Sequence, residues 1–233
     1  MQQEHLSSGT RFDLYVKAAS DGRGLGDCPF CHYVQMYAKT LGIADDQFSV
    51  HYVDTANKPE SFMKLNEKGT VPVLVDKQTK QTLADSADMA KHLREQFPGK
   101  DPLSGYGGPD KSFFGVVLPK LGNLLKNKDE SHDSEKCKSE LIAQLQIIND
   151  YLDQSSSERK GNYLAGEHVS ELDCVFMPRL RHVMVAGGHY ESVTIGEFSA
   201  LKEYFDNAMT CHEFTSTCCV EGELIKGWAR HRK

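Results

Sequence analysis

Along the first hundred residues the apolar positions change period, from every second residue to every third or fourth and back, the pattern of strands alternating with helices. Phe12, Leu14 and Val16 alternate with polar neighbours, so residues 11–18 read as a first strand. A glycine-rich stretch, 20–27, leads into Cys28-Pro29, and proline at the first helical position gives up an N–H that would have had no partner there. Val34, Ala38 and Leu41 then recur at i, i+4 and i+7 as one face of a helix. A second strand is expected at 48–53, a short helix after Pro59, a third strand around 73–75 and a hairpin back through 81–84. Asp85-Ser86 is an N-cap signal for a helix that ends near Phe97-Pro98-Gly99. The predicted order is β-α-β-α-β-β-α.

Residues 100–110 are rich in Gly and Pro without periodicity and read as a linker. From 111 to 233 the pattern is helical throughout. Leu141, Leu145, Ile148 and Leu152 form one stripe, and Ser170-Glu171-Leu172-Asp173 has the form of an acidic capping box opening another helix. The charged segment 126–138 reads as a mobile surface loop without functional content. Two modules follow: an α/β unit, residues 1–99, and an all-α unit, residues 111–233.

Composition narrows the picture. With 39% hydrophobic and 26% charged residues, the 233-residue chain can bury a core. A formal charge of -6 offers no surface for nucleic acid. Apolar runs such as 183–188 fall far short of the ~20 residues of a spanning helix, so no membrane partner is expected. The polar start, residues 1–10, lacks the basic and apolar regions of a secretory signal, which makes the cytoplasm the default, with a plastid the alternative if a transit peptide has been removed. Seven cysteines without paired zinc spacing predict reduced thiols and no metal site. No bound cofactor is expected.

Cys28-Pro29-Phe30-Cys31 sets one thiol at a helix start, where unpaired N–H groups and the helix dipole favour an anion. Such positions lower a cysteine pKa from about 8.5 into the range of about 3.5–7.5, which makes Cys28 a nucleophile without a partner base. Cys31, one turn deeper, reads equally as a resolving thiol and as a structural residue. Val71-Pro72-Val73, preceded by Gly69-Thr70, is a candidate cis peptide that would expose the Val71 backbone to a bound peptide. Asp85 and Ser86 offer a helix N-terminus to a carboxylate, or are simply a cap. With Lys58 as a nearby cation, these features describe a glutathione site.

The motifs VKAA at 16–19, GDCPF at 26–30, NKPESF at 57–62, KGTVPVL at 68–74 and ADS at 84–86 carry a resemblance to the glutathione transferase superfamily. LAGEHVSELD at 164–173, RLRHVMVAGGHY at 179–190, and EFTST with IKGWA near the C-terminus make it most similar to the dehydroascorbate reductases of plants and green algae. GDCPF, VPV and ADS alone also fit omega-class transferases and chloride intracellular channel proteins. The resemblance implies a thioredoxin-like N-terminal domain, an all-helical C-terminal domain and a monomer. It implies reduction of dehydroascorbate to ascorbate with glutathione as co-substrate and Cys28 as nucleophile. Lys17, Asp27, Phe30, Lys58, Val71, Pro72, Asp85 and Ser86 would line the glutathione site. Lys17, Asp27, His182 and Trp228 would contact the substrate. Asp27 enters as a hydrogen-bond partner of the substrate, because a carboxylate beside a thiolate opposes ionisation. Where the plant enzymes usually carry Ser, this chain has Cys31, which opens a dithiol route through an internal disulfide.

Overall fold

The computed structural model describes residues 9–99, 103, 106–126, 132–155 and 161–232. The expected element order holds through the first module. Strand β1 (Phe12–Lys17) buries alternate residues, Phe12, Leu14 and Val16, as its sequence period requires. It pairs in parallel with β2 (Phe48–Val53) and antiparallel with β3 (Val73–Asp76), and β4 (Gln81–Leu83) closes the sheet in the order β2-β1-β3-β4. A parallel pair needs a crossover, and helix α1 (Pro29–Thr40) supplies it. Helix α3 (Ser86–Gln96) packs beside α1, while α2 (Glu60–Leu65) seats Phe62 with Val53 and Val73 in a separate small apolar cluster. Asp76, fully buried, accepts from Arg11 (2.7 Å) and His92 (2.9 Å). Although burial opposes ionisation, these two partners hold its carboxyl well below the usual range and tie β1, β3 and α3 together.

The second module is helical, as expected: α4 (Lys111–Gly115), α5 (Val117–Leu125), α6 (Ser134–Ser155), α7 (Glu171–His182), α8 (Gly188–Glu191), α9 (Ser199–Ala208), α10 (His212–Thr215) and α11 (Glu221–Ala229). Leu141, Leu145, Ile148 and Leu152 are fully buried along α6. The capping box at Ser170 is present, with Asp173 taking both the Ser170 N–H (2.8 Å) and hydroxyl (2.6 Å). A π-helical turn, Val183–Gly187, joins α7 to α8 directly after His182.

One expectation is corrected. Ser134 to Lys138 form the first turns of α6 and are not loop. Their charge reflects a helix face that meets water, and the apolar stripe that would have revealed the helix begins only at Leu141. Residues 127–131 of that segment lie outside the described residues, as do 100–102, 104 and 105 of the expected linker.

The apolar core runs unbroken from Phe12 in the sheet to Leu141 in the helical half, which fixes the halves against each other. Helix α1 lies against α7 at the joint. There the buried Glu171 carboxylate accepts from Tyr33 (2.5 Å), Arg94 (2.8 Å) and Lys111 (2.6 Å), drawn from α1, α3 and α4. Among the described residues no helix is long and apolar enough to cross a membrane.

Candidate active site

After β1 the chain turns back on itself. Ala18 bridges to Leu25, and the Gly26 N–H donates to the Lys17 carbonyl at 2.8 Å. A side chain at Gly26 would place its Cβ 2.3 Å from the Ala18 oxygen, so only glycine allows this return. The turn delivers Asp27 and Cys28 beside Lys17. Cys28 is the N-cap of α1, in extended conformation, with Pro29 next. Its sulfur takes no capping role.

The Cys28 thiol is lowered from its ordinary value. The largest cause is a hydrogen bond from the Cys31 thiol; burial opposes it, and the backbone N–H groups of Cys31 and Phe30 and the Lys17 charge add to it. Cys31, buried beneath, is pushed well above its ordinary value, first by desolvation and then by Cys28. The thiolate is therefore favoured at Cys28 over Cys31, whose proton is directed at its neighbour. Both are free thiols. In its protonated form Cys28 Sγ stands 3.8 Å from the Val71 carbonyl, and Val71-Pro72 is cis, as the sequence suggested.

Cys28 opens into a cavity of about 770 Å³ between the two modules. From the first module, Lys17, Asp27, Phe30, Lys58 and Val71 reach it; from the second, His182 and Trp228. Lys17 and Asp27 form an ion pair at 2.7 Å. Gly227 of α11 lies so close to Asp27 that an added Cβ would fall 1.8 Å from Oδ2, so the helix packs directly on the carboxylate. Next along that helix, Trp228 Nε1–H donates to His182 Nδ1 at 3.0 Å. Burial, reinforced by Arg181 and Arg179, pushes His182 down to about 3, so the ring is neutral. Because indole only donates, the His182 proton sits on Nε2, where the Asp27 backbone takes part in a hydrogen bond. The polar atoms of His182 and Trp228 are thus engaged within the protein, and their ring surfaces are what they offer the cavity.

Three expected glutathione residues, Pro72, Asp85 and Ser86, are absent from the cavity lining. Asp85 caps its own helix, its Oδ1 accepting from the Ala87 (2.8 Å) and Asp88 (3.2 Å) N–H groups. The structure adds residues that the sequence did not single out. Arg179 lays its guanidinium 5.2 Å over Phe30. Leu118, Gly122 and Lys126 present one face of α5, with Asn123 and His231 beside them. No pattern marks them locally; Lys126 in particular was hidden in a charge run. Glu223 of α11 accepts from the Ser20 N–H and hydroxyl, both at 2.6 Å, and so fastens the glycine-rich loop.

Residues 27–96 match the family model described as glutathione S-transferase, N-terminal domain. The crystal structure of dehydroascorbate reductase from Chlamydomonas reinhardtii superposes with a TM-score of 0.83 at 26% identity, covering 96% of this chain and all (100%) of that one. The N-terminal module is thus that of the glutathione S-transferases, and the whole fold is that of the Chlamydomonas enzyme. In sequence the chain resembles the dehydroascorbate reductases: the chloroplastic glutathione S-transferase DHAR3 of Arabidopsis thaliana is 29% identical over 95% of this chain and 81% of its own length. The chloride intracellular channel Clic of Drosophila melanogaster is 27% identical over 96% of this chain and 85% of its own. The chain thus has a thioredoxin-like N-terminal module and a helical C-terminal one, the architecture of the Chlamydomonas structure.

Proposed function

We propose that this chain reduces dehydroascorbate to ascorbate with two glutathiones, through Cys28. The observation that supports the reading best is a cysteine whose thiolate is favoured, set at a helix N-terminus in a cavity that also presents the Lys17–Asp27 ion pair and the ring surfaces of His182 and Trp228. The thiolate attacks an electrophilic carbonyl of the substrate, and Lys17 steadies the oxyanion that develops. Ascorbate leaves with two electrons from sulfur, and water supplies the oxygen of a Cys28 sulfenic acid. One glutathione condenses with it, releasing water and forming a mixed disulfide; a second attacks that disulfide and returns Cys28 as thiolate.

Lys58 and the Val71 backbone form the wall that takes the first glutathione; Asp85 and Ser86, outside the lining, are given no part in it. The Cys31 thiol, already directed at Cys28, gives the oxidised sulfur an internal partner, and glutathione then reopens the disulfide. In this reading a monomer is the working unit and the cytoplasm its compartment.

The test is dehydroascorbate reduction by glutathione, in wild type and Cys28→Ala. The reading requires turnover in the first and none in the second, with parallel-line kinetics when both substrates are varied. A higher kcat/KM for glutathionylated peptides than for dehydroascorbate would replace it with a thiol transferase of the omega type. Binding of the oxidised protein to liposomes, without turnover, would favour a channel-like role.

A further inference from the structure

The cavity holds three cations that have no acidic partner among the described residues: Lys58 on the sheet side, Lys126 at the end of α5, and Arg179, whose guanidinium is taken up by the Phe30 ring and the Val175 carbonyl. Lys17, by contrast, is paired with Asp27. Lys126 closes α5 with its ammonium 5.6 Å from the Trp228 ring centroid, over an indole that is itself fixed to His182. Asn123, one turn earlier on the same face, makes no side-chain hydrogen bond among the described residues. His231 stands within electrostatic reach of both Lys126 and Lys17, which lower its proton affinity together, although burial is the larger cause. The helical wall is therefore positive in a chain whose formal charge is -6. A focused cation in a cleft selects anions.

Dehydroascorbate carries no charge and gives Lys126 nothing to pair with. Glutathione does, through its two carboxylates. Once ascorbate has left and the first glutathione is joined to Cys28 along the Lys58 and Val71 wall, the remaining room in the cavity is bounded by α5 and α11.

The geometry points to Lys126 and Asn123 as the carboxylate-binding end of a second glutathione subsite, used in the step that frees Cys28. This inference rests on the function proposed above. The incoming glutathione, its thiol proton lost to solvent, attacks the glutathionyl sulfur. A new S–S bond forms in glutathione disulfide, the Cys28 S–S bond breaks, and the electron pair returns to Cys28. The Cys31 thiol and the first N–H groups of α1 stabilise that leaving thiolate.

The experiment isolates this step. Wild type, Lys126→Ala, Lys126→Glu and Lys126→Arg are converted to the Cys28 mixed disulfide with glutathione disulfide. Reopening is then timed by mass spectrometry with glutathione or with uncharged 2-mercaptoethanol. The glutathione rate is expected to fall about 3- to 5-fold in Lys126→Ala and about 10-fold in Lys126→Glu, and to survive in Lys126→Arg, the scale of an exposed ion contact. The mercaptoethanol rate stays at the wild-type level in all four. Salt slows glutathione in wild type more than in Lys126→Ala. Equal slowing of both thiols, or of neither, overturns the subsite while leaving the proposed reaction intact. A wild-type mixed disulfide that glutathione never opens overturns both.

Discussion

Two glycines of α11 should respond to the same substitution with opposite signs. A Cβ on Gly222 meets nothing within 4 Å, whereas one on Gly227 would stand 1.8 Å from Asp27 Oδ2, far inside the 3.0 Å at which a neighbour must move. Gly222→Ala relieves the helix of a flexible residue, worth up to about 1 kcal/mol, or a rise of roughly 2–4 °C in Tm for a chain of this size. Gly227→Ala gains the same propensity but drives the carboxylate away from Lys17, breaking an ion pair whose side chains are only 19% and 14% exposed. Overpacking of this kind costs about 1–3 kcal/mol, so after a gain of about 1 kcal/mol the net loss is up to about 2 kcal/mol and Tm falls by up to roughly 8 °C. Displacing Asp27 and Lys17 by about 1 Å should lower kcat/KM for dehydroascorbate about 10- to 100-fold. The rate of Cys28 alkylation should hardly change, since Lys17 is the smallest of the influences on that thiol. Thermal melting and steady-state kinetics on both variants decide the matter. Equal melting temperatures, with kcat/KM intact in Gly227→Ala, would show that α11 does not rest on Asp27.

Cys31→Ala removes the largest influence lowering the Cys28 thiol, so the pH profile of Cys28 alkylation should move to higher pH; an unmoved profile would assign the activation to the helix N-terminus alone. Peroxide treatment should yield a Cys28–Cys31 disulfide, seen as the loss of two hydrogens by mass spectrometry, and its absence would end the dithiol route. His32 and His182 are both pushed down to about 3 by burial, so each is neutral in the folded state. Between the unfolded value of about 6.5 and that lower value the unfolded chain binds more protons, and stability should fall with falling pH by up to about 2.7 kcal/mol per pH unit for the two together. Denaturant melts of His32→Gln should show a shallower slope across that window. Glu171→Gln weakens the joint between the halves; because Arg94 and Lys111 are about two-fifths exposed (40% and 42%), the loss should sit near or below the lower end of the ~3–5 kcal/mol seen for broken buried pairs, read from denaturant midpoints.

Much of this molecule was legible from its chain because the signals were local. Alternation at Phe12, Leu14 and Val16, the stripe Leu141 to Leu152, the caps at Asp85 and Ser170, and Pro29 after Cys28 each act over a few residues, the range on which strand and helix periods are set. The same locality placed the thiol at a helix start. Cys31 below it followed from one turn of helix. Where the polar face of a helix preceded its apolar stripe, at Ser134 to Lys138, the local signal misled. What the tertiary structure alone decided are relations across the chain: Gly227 against Asp27, Trp228 on His182, Glu223 on Ser20, Lys126 on the cavity wall. No period links residues separated by dozens to hundreds of positions. They meet because one apolar core joins the sheet to the helices, and the cavity is the space that this packing leaves at the seam.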